Sequence, residues 1–353
     1  MKRALALARR ARGRTAPNPA VGAIVVRGGR SLGAGYHTRA GTDHAEVRAL
    51  RAAGNAARGA TLYVTLEPCG HHGLTPPCVT RVLESGVKRV VCGMRDPDKR
   101  THGRSLARLR RAGLKVETRV LEAECRELVR GFASRLERGR PYTQLKLAAS
   151  LDGRIATRSG ESRWITGPAA RAWVHDLRGR VDAIAVGSGT VLSDDPELTA
   201  RRAGRVVHRP RPVVLDTRLA TPIGAKLLRG GSALLLSGPK ATQRRRKALS
   251  AAGAEVIPVR GAGPHVDLRA AWRVLARQGV NDVLVEGGGR LAAALLRAGL
   301  VDELHLFYAP LLIGSDGAAL IAELGVDRLS QAHRPASWMT RRIGDDLLLS
   351  ARW

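Results

Sequence analysis

Two short motifs constrain how the first part of this chain can fold, because the groups they supply must meet in space. The first motif is His44-Ala45-Glu46, and the second is Pro68-Cys69-Gly70-His71-His72-Gly73-Leu74-Thr75-Pro76-Pro77-Cys78. Three protein ligands leave one position of a tetrahedral zinc ion open for water, whereas a structural zinc takes four protein ligands. We therefore expect a hydrolytic zinc site with His44, Cys69 and Cys78 as ligands. Glu46 is not needed as a ligand, and it is expected to carry the proton.

The expected ligands lie at the ends of regular elements, where separate segments of a chain can be brought together. Strand-like residues 60–66 lead into Cys69, and a helical pattern opens at His44. Pro76-Pro77 favours a helix start, because proline fixes φ and lacks the N–H that a first helical turn leaves unpaired. Cys78 is thus expected in the first turn of a helix, where the N-terminal dipole favours a thiolate.

Each part of this pattern has a simpler explanation when it is taken alone. His-x-Glu occurs by chance, and isolated cysteines are commonly small core residues. His71 and His72 are rival metal ligands, although their position inside the loop suits substrate contact or support of the ligands better. Zinc enzymes that deaminate nucleobases carry a short Cys-x-x-Cys motif. The loop between Cys69 and Cys78 is longer than this, so it must fold back to bring the two cysteines together. The combination of motifs nevertheless favours zinc.

Length and composition limit the class of protein. A chain of 353 residues with 44% hydrophobic residues is long enough for two domains with separate cores. Charged residues interrupt the apolar N-terminus, and no run reaches the roughly 18 apolar residues of a membrane span, so we expect a cytoplasmic protein without membrane contact. The four cysteines do not indicate a disulfide framework, and Cys92 and Cys125 are expected to be structural.

The formal charge of +30 suggests nucleic-acid binding, which depends on contacts between basic residues and phosphates. Against this, the basic residues are spread along the chain, and aromatic residues make up only 3%, which leaves few platforms for stacked bases. We therefore expect no nucleic-acid partner. Anionic small-molecule substrates agree with the same charge.

Apolar strand patterns alternate with helical patterns throughout, which is typical of α/β domains. In the first part, a hairpin around Gly28-Gly29 precedes alternating helices and strands and one long helix over 122–137. Arg138-Gly139-Arg140-Pro141 then has the turn residues of a junction. The sequence therefore predicts two domains, 1–139 and 140–353.

The second part opens with residues 142–149, which alternate as a strand with one polar face formed by Gln144, Lys146, Ala148 and Ser150. Further strands are expected at 181–186, 212–215, 233–236, 255–259, 282–286 and 303–308. The strand at 282–286 leads through Gly287-Gly288-Gly289 into an Ala/Leu helix, and such a turn offers backbone N–H groups to a phosphate. Tight packing of the strand against the helix explains the glycines equally well.

Taken together, the motifs resemble those of the bifunctional deaminase-reductases of riboflavin biosynthesis, over nearly the whole chain. The first part carries Pro17-Asn18-Pro19-Ala20-Val21-Gly22, Gly33-x-Gly35-Tyr36-His37 and both zinc motifs. The second part carries the segments 146–154, 160–166 and 189–196 and the Glu286 glycine turn. The resemblance implies an α/β protein in which a cytidine-deaminase-like zinc domain is followed by a dihydrofolate-reductase-like domain.

The resemblance also implies the chemistry. The first domain would deaminate 2,5-diamino-6-(5-phosphoribosylamino)pyrimidin-4-one, and the second would use NADPH to reduce the ribosyl group of 5-amino-6-(5-phosphoribosylamino)uracil to ribityl. The expected partners are these small phosphoribosyl-pyrimidines and further copies of the chain in a homo-oligomer. A nucleic-acid base deaminase with a basic accessory domain is the alternative, but it leaves the motifs of the second part unexplained. An inactive half that serves as a scaffold is disfavoured by the intact His44, Glu46, Cys69, Cys78 and Glu286.

Individual site residues follow from the same resemblance. Contacts to NADPH are expected at Ala148, Trp164, Thr190, Asp194, Thr217, Gly288, Gly289, Arg290, Leu291, Ala292, Ala293 and Ala294. Substrate contacts are expected at Asn18 in the deaminase and at Ser162, Arg178, Leu198, Arg201 and Glu286 in the reductase. One departure from the family pattern is Gly70, where relatives often have Ser.

Several of these residues have a second explanation. Arg178 and Arg201 suit a substrate phosphate through forked hydrogen bonds, but either also fits an ordinary surface arginine. Asn18, between two prolines, also fits a turn. Lys146 projects from the polar strand face and is expected to orient or protonate the reacting sugar, although a strand lysine with a solvated tip is the simpler explanation. Arg218 is the candidate for the 2′-phosphate of NADPH.

Overall fold

The computed structural model of the chain describes residues 1–259, 261 and 263–353. It divides into two compact units, unit 1 from Met1–Arg140 and unit 2 from Pro141–Trp353. The division falls inside the 138–141 segment, whose glycine and proline indicate a junction. In the described ranges, none of the helices combines the length and the hydrophobicity that crossing a bilayer requires.

Unit 1 is built on one sheet. Its strands are β1 (Gly22–Arg27), β2 (Arg30–Tyr36), β3 (Thr61–Val64), β4 (Arg89–Cys92) and β5 (Lys115–Glu117). They lie in the order β2-β1-β3-β4-β5, in which β1 is antiparallel to β2 and β3, while β3, β4 and β5 are parallel. The helices are α1 (Lys2–Arg9), α2 (Ala45–Ala53), α3 (Cys78–Glu84), α4 (Arg104–Arg111), α5 (Glu122–Leu128) and α6 (Arg130–Arg138). Apolar side chains of the strands and of these helices form one core.

The last two helices of unit 1 correct one expectation. A single helix over 122–137 is wrong, because Val129 leaves the helical region with φ −109° and ψ 19° and separates α5 from α6. Leu128 and Phe132, on either side of the break, are both buried in the core. The break turns the chain while both segments keep their apolar faces inward, so the apolar spacing alone could not reveal it.

The described residues of unit 2 form one large sheet and two small ones. Its strands are β6 (Tyr142–Ser150), β7 (Arg154–Ala156), β8 (Ala183–Gly187), β9 (Ala200–Arg202), β10 (Arg205–His208), β11 (Arg211–Leu215), β12 (Leu234–Ser237), β13 (Glu255–Pro258), β14 (Asp282–Val285), β15 (Glu303–Ala309), β16 (Ala318–Ala319), β17 (Ser337–Ile343) and β18 (Asp346–Arg352). The large sheet has the order β13-β12-β11-β8-β14-β6-β15-β18-β17, and β9 with β10 and β7 with β16 form two-stranded sheets. The strands from β13 to β15 in this order are parallel, and β18 and β17 continue the sheet antiparallel.

Helices cover both faces of the parallel part of this sheet. They are α7 (Pro168–Arg178), α8 (Ser188–Asp194), α9 (Gln243–Ala251), α10 (Leu268–Arg277) and α11 (Gly289–Arg297). Trp272 of α10 and Leu295 of α11 pack in the core on one face, while Leu249 of α9 packs in the core on the other. Because these strands are buried on both faces, the sequences of β8, β11, β12 and β14 are almost continuously apolar. The six further strands expected from the sequence are therefore confirmed as β8, β11, β12, β13, β14 and β15.

The central strand β6 separates the core from a cavity. It lies between β14 and β15 and is parallel to both. Leu145, Leu147 and Ala149 belong to the hydrophobic core, while the residues of β6 that line the cavity are Lys146, Leu147 and Ala148. The predicted alternation of a polar and an apolar face is confirmed.

Candidate active sites

Three side chains of unit 1 converge as the motifs predict. His44 immediately precedes α2, Cys69 lies in the loop after β3, and Cys78 is the first residue of α3. The Nδ1 atom of His44 lies 3.1 Å from the Cys78 sulfur and 3.6 Å from the Cys69 sulfur. The three potential ligand atoms all lie within 4.8 Å of one another. One imidazole and two thiols this close together match the donor set that zinc takes in tetrahedral sites.

The loop from Cys69 to Cys78, which we call the ligand loop, folds back on itself as expected. The backbone N–H of Val79 donates to the carbonyl oxygen of Cys69 at 3.2 Å, and the N–H of Cys78 donates to the Cys69 sulfur at 3.3 Å. The predicted helix start at Cys78 is confirmed, with Pro77 directly before it. The hydrogen bond between the two sulfurs lowers the pKa of Cys69 and raises the pKa of Cys78. The lowered pKa of Cys69 favours the thiolate, which is the form that binds a metal.

Glu46 lies in the first turn of α2 and is buried, with 3% of its surface exposed. It is not part of the group of ligand atoms. Burial raises the pKa of Glu46 to about 7, although the neighbouring His44 acts in the opposite direction. A carboxyl group with such a pKa can take up and release a proton near neutral pH.

A second histidine, His37, lies beside His44; it was named from the sequence only as part of a motif and was given no role. The two ring centroids are 4.9 Å apart, edge to face. Burial and the neighbouring His44 lower the pKa of His37 to about 4, so the ring is neutral. Its Nδ1–H then donates to the carbonyl oxygen of Asp43 at 3.3 Å, and its Nε2 accepts from the amide of Asn18 at 3.1 Å. Asn18, the expected substrate contact, thus lies against this histidine.

The rival histidines of the loop lie outside the group of ligand atoms. His71 places Nδ1 at 3.2 Å from the hydroxyl oxygen of Thr101, and His72 is exposed. Thr75, from the same loop, lies with its hydroxyl oxygen 3.5 Å from His44 Nε2. The loop therefore places the hydroxyl of Thr75 beside the ligand cluster, while its two histidines are not among the ligand atoms.

Unit 2 contains a cavity of about 1190 Å³ beside the polar face of β6. Among its lining residues are the expected NADPH contacts Ala148, Trp164, Thr190, Asp194 and Gly288. All the expected substrate contacts of the reductase line it as well, namely Ser162, Arg178, Leu198, Arg201 and Glu286, together with Lys146. Of the residues that the structure describes, the remaining expected NADPH contacts do not line it: Thr217, Gly289, Arg290, Leu291, Ala292, Ala293 and Ala294.

The glycine turn before α11 borders the cavity and also packs closely against a neighbouring segment. Gly288 lines the cavity at the start of the helix. At Gly289, a Cβ atom would lie 2.6 Å from the carbonyl oxygen of Ala319, so this position is needed for close packing. Ala292 and Ala293 are buried in the interior of unit 2. Of the predicted segment 288–294, only Gly288 lines the cavity.

The two arginines expected to bind a phosphate already have carboxylate partners. The guanidinium of Arg178 forms a forked pair with Glu286, at 2.7 and 2.6 Å, and both side chains are largely buried. Arg201 pairs with Glu197 at 2.5 Å, and each of these two side chains is 38% exposed. Despite the cost of burial, the charge of Glu286 keeps the pKa of Arg178 above its usual value, and the charge of Arg178 keeps the pKa of Glu286 below its usual value.

Lys146 points its ammonium group into the same region. Burial lowers the pKa of Lys146, the carboxylate of Glu286 acts in the opposite direction, and the charge of Arg178 lowers it further. His175, which the sequence did not single out, also lines the cavity, and its Nδ1 accepts the backbone N–H of Arg201 at 3.2 Å. This hydrogen bond fixes the ring beside Arg201.

The lining of this cavity fits a nucleotide cofactor. The indole of Trp164 is 69% exposed, with the Arg171 guanidinium 4.8 Å from its ring centroid, and it offers a flat face for stacking. Among the described residues, five arginines and two lysines line the space beside five carboxylates, and the basic side chains suit phosphates. Small-molecule sites usually occupy about 300–1,000 Å³, so this volume has room for a nucleotide and a second ligand.

These two sites define a class of protein. A His-Cys-Cys cluster beside a buried glutamate is the arrangement of zinc-dependent base deaminases. A cation-lined cavity at the carboxyl ends of parallel strands is the usual ligand site of an open α/β sheet. The chain is thus a two-part enzyme, with a zinc deaminase unit followed by a nucleotide-binding α/β unit.

Comparisons with known proteins identify the family. Residues 1–94 match the cytidine and deoxycytidylate deaminase zinc-binding region, and residues 141–347 match the RibD C-terminal domain. The riboflavin biosynthesis protein RibD of Escherichia coli (strain K12) is 43% identical, covering 99% of this chain and 97% of that protein. RibD of Aquifex aeolicus (strain VF5) is 39% identical, with 99% and 96% coverage.

Solved structures agree with the sequence relatives. RibD of Acinetobacter baumannii (form 1) has a TM-score of 0.90 at 35% identity and covers 99% of this chain and 97% of its own. A diaminohydroxyphosphoribosylaminopyrimidine deaminase/5-amino-6-(5-phosphoribosylamino)uracil reductase from Thermotoga maritima has a TM-score of 0.83 at 33% identity, with 100% and 97% coverage.

The chain belongs to the RibD family of riboflavin biosynthesis. It is a bifunctional enzyme with a cytidine-deaminase-like unit that binds zinc and a dihydrofolate-reductase-like unit that uses NADPH. The fold, the family and the two activities implied by the sequence motifs are confirmed. The alternative of a nucleic-acid base deaminase leaves the match of residues 141–347 unexplained.

Proposed function

We propose that unit 1 deaminates 2,5-diamino-6-(5-phosphoribosylamino)pyrimidin-4-one and that unit 2 reduces the ribosyl group of 5-amino-6-(5-phosphoribosylamino)uracil to ribityl. The main support is that a His-Cys-Cys cluster with a buried glutamate and a cation-lined cavity occur in one chain. The printed name of the Thermotoga maritima relative gives the same pair of reactions for that protein. The product of the first reaction is the substrate of the second, which suits a bifunctional chain.

In the proposed deamination, water adds to the ring carbon that bears the amino group, and the C–N bond breaks to release ammonia. His44, Cys69 and Cys78 hold zinc, which when bound makes water more acidic. Glu46 takes a proton during the attack and gives it to the departing nitrogen. A pKa of about 7, raised by burial, suits a group that must both accept and donate this proton.

In the proposed reduction, C1′ of the ribosyl group gains a hydride, the bond from C1′ to the ring oxygen breaks, and that oxygen gains a proton. NADPH supplies the hydride when bound. Lys146 orients the sugar or supplies the proton, since its pKa is lowered by burial and its ammonium therefore releases a proton more readily. Glu286 lies near enough to influence this charge, and Arg178 holds Glu286 in place.

The substrate phosphate is assigned to Arg201 in preference to Arg178. The Arg201–Glu197 pair is 38% exposed on each side, and exposed pairs contribute only about 0–1 kcal/mol, so a phosphate can displace the glutamate. The Arg178–Glu286 pair is largely buried, and separating it leaves an unpaired buried charge.

The decisive experiment follows the mass of the product. Purified enzyme is incubated with the diaminopyrimidine phosphate, first without and then with NADPH. Without NADPH we expect the deaminated uracil and ammonia, and with NADPH we expect the ribityl product. An unchanged substrate mass under both conditions, from a folded and zinc-loaded enzyme, contradicts the proposed substrates.

NADPH is expected to be preferred strongly over NADH. Arg218 is exposed in the loop directly after β11, next to Thr217, and its charge is available to a 2′-phosphate. Replacement of Arg218 by Ala should raise KM for NADPH while leaving KM for NADH unchanged, as measured by steady-state oxidation of each cofactor. Equal kcat/KM for the two cofactors in the unchanged enzyme contradicts the cofactor preference, whereas a preference that survives Arg218→Ala contradicts only the residue.

The two units are expected to fold and act separately. All four proposed deaminase groups lie before Arg140, and the cavity residues of unit 2 lie after Pro141. Each unit also has a core of its own. Residues 1–140 and 141–353 are expressed separately, and each is assayed on its own substrate. A zinc-loaded first piece that deaminates only after the second piece is added contradicts this prediction.

Homo-oligomer formation, a cytoplasmic location and the lack of a nucleic-acid partner stay predictions. Sedimentation of the purified chain tests the first. A salt-dependent shift of labelled RNA or DNA tests the last, because binding by basic residues weakens steeply with salt.

A further inference from the structure

Glu67 is a buried carboxylate that the deaminase mechanism does not use. It precedes Pro68-Cys69 directly, and only 2% of its surface is exposed. Its two oxygens accept four backbone N–H groups at 2.7–3.3 Å, those of Asp96, Gly103, Ser105 and Leu106. A buried carboxylate satisfied so completely by main-chain donors fixes the segment that supplies them.

We call residues 96–106 the support loop. Ser105 and Leu106 belong to the first turn of α4, where backbone N–H groups have no partner within the helix. The carboxylate of Glu67 satisfies two of these groups, and its charge interacts favourably with the N-terminus of the helix. The other two donors, Asp96 and Gly103, lie at the beginning and near the end of the same loop. One side chain thus holds both ends of the support loop.

The support loop contacts the ligand loop immediately after Cys69. The hydroxyl oxygen of Thr101 lies 3.2 Å from Nδ1 of His71. A Cβ atom added to Gly70 would lie 2.5 Å from the hydroxyl oxygen of Ser105, so the two loops are in direct contact there. Ser105 is buried, at 2% exposed, so this contact lies in the interior of unit 1.

We propose that Glu67 is a positioning residue of the deaminase. By fixing the support loop against Gly70 and His71, it holds Cys69 where that sulfur can bind zinc together with His44 and Cys78. This inference rests on the proposed function, because it takes Cys69 as a zinc ligand. Groups that orient metal ligands without binding the metal typically change metal affinity about 10- to 100-fold when they are replaced.

The first test replaces Glu67 by Gln in the full chain. Glutamine keeps the size of the side chain but turns one acceptor oxygen into an N–H₂ group, which then faces two backbone N–H groups. We expect zinc affinity, measured by competition with a chelator, to fall about 10- to 100-fold. The control is Glu84→Gln, which makes the same change at an exposed carboxylate of α3 and should leave zinc affinity unchanged. Reductase activity of unit 2 should stay the same in both variants.

A second series tests the contact between the loops without altering Glu67. Gly70→Ala places a methyl group against Ser105 and should lower zinc affinity by pushing the support loop away. Ser105→Gly removes the opposing hydroxyl, so the double variant Gly70→Ala/Ser105→Gly should recover most of the lost affinity. If Glu67→Gln does not fold, this series still tests whether the support loop positions Cys69.

The outcomes separate this inference from the proposed function. Wild-type zinc affinity in a folded Glu67→Gln variant overturns the inference, and so does a lower melting temperature with unchanged zinc affinity, because that marks a purely structural role. Equal zinc affinity in Gly70→Ala and in the double variant overturns it as well. If Cys69→Ala itself retains wild-type zinc affinity, the proposed ligand set is what fails.

Discussion

Replacing Glu46 by Gln is expected to lower the deaminase kcat by about 10²- to 10⁴-fold, the usual contribution of a general acid and base. The amide cannot accept the proton that the buried carboxylate carries between water and the leaving nitrogen. Zinc should stay bound, because Glu46 lies outside the group of ligand atoms. Ammonia release gives the rate, and metal analysis of the purified variant gives the zinc content.

Two controls accompany this variant. NADPH-dependent reduction of the deaminated substrate should proceed at the wild-type rate, because it takes place in unit 2. Glu84→Gln, at an exposed position of α3, should change neither activity. Near-normal ammonia release or loss of zinc from Glu46→Gln contradicts the proposed role of this residue.

The second large effect is expected at the Arg178–Glu286 pair. Glu286→Ala removes one partner of a largely buried, forked ion pair and leaves the Arg178 charge without compensation. The free energy of unfolding of unit 2 should fall by roughly 3–5 kcal/mol, as is usual when one partner of a buried pair is removed. Denaturant unfolding in the absence of NADPH and substrate measures this change.

The matched control is Glu197→Ala, which removes the partner of Arg201. Because that pair is 38% exposed on each side, the loss should be only about 0–1 kcal/mol. Reductase kcat/KM should fall in Glu286→Ala, since Glu286 is a proposed substrate contact. Equal destabilisation by the two substitutions contradicts the view that burial distinguishes the two pairs.

Features set by neighbouring residues could be predicted from the sequence. The prolines before Cys78 indicate the start of α3, and the alternation in β6 assigns Lys146 to the face that lines the cavity. In both cases the signal lies within a few positions of the residue concerned. The NADPH contacts expected at the beginning of α11 stay a prediction: Gly288 lines the cavity, whereas Gly289 packs against Ala319.

Features that depend on distant partners could not be predicted in this way. Glu286 lies 108 positions from Arg178, and Glu67 lies 36 to 39 positions from the N–H groups of α4 and Gly103. No local pattern indicates that these groups meet. The strand β17 is missed for a different reason, since its residues up to Arg342 are exposed on both faces at the edge of the sheet and therefore show no alternation.

The strands β8, β14 and β6 are neighbours and run parallel, and this arrangement affects which segments of unit 2 can be engineered. Thr190 and Asp194 follow β8, and Glu286 follows β14, so these lining residues of the cavity occur in connections beyond the strands. The strands themselves are buried in the interior. Substrate preference should therefore be open to redesign by exchanging segments such as 158–166 or 194–204 while the sheet is left as it is. We therefore expect that the sheet of unit 2 can be kept while its connecting segments are exchanged to reduce other substrates.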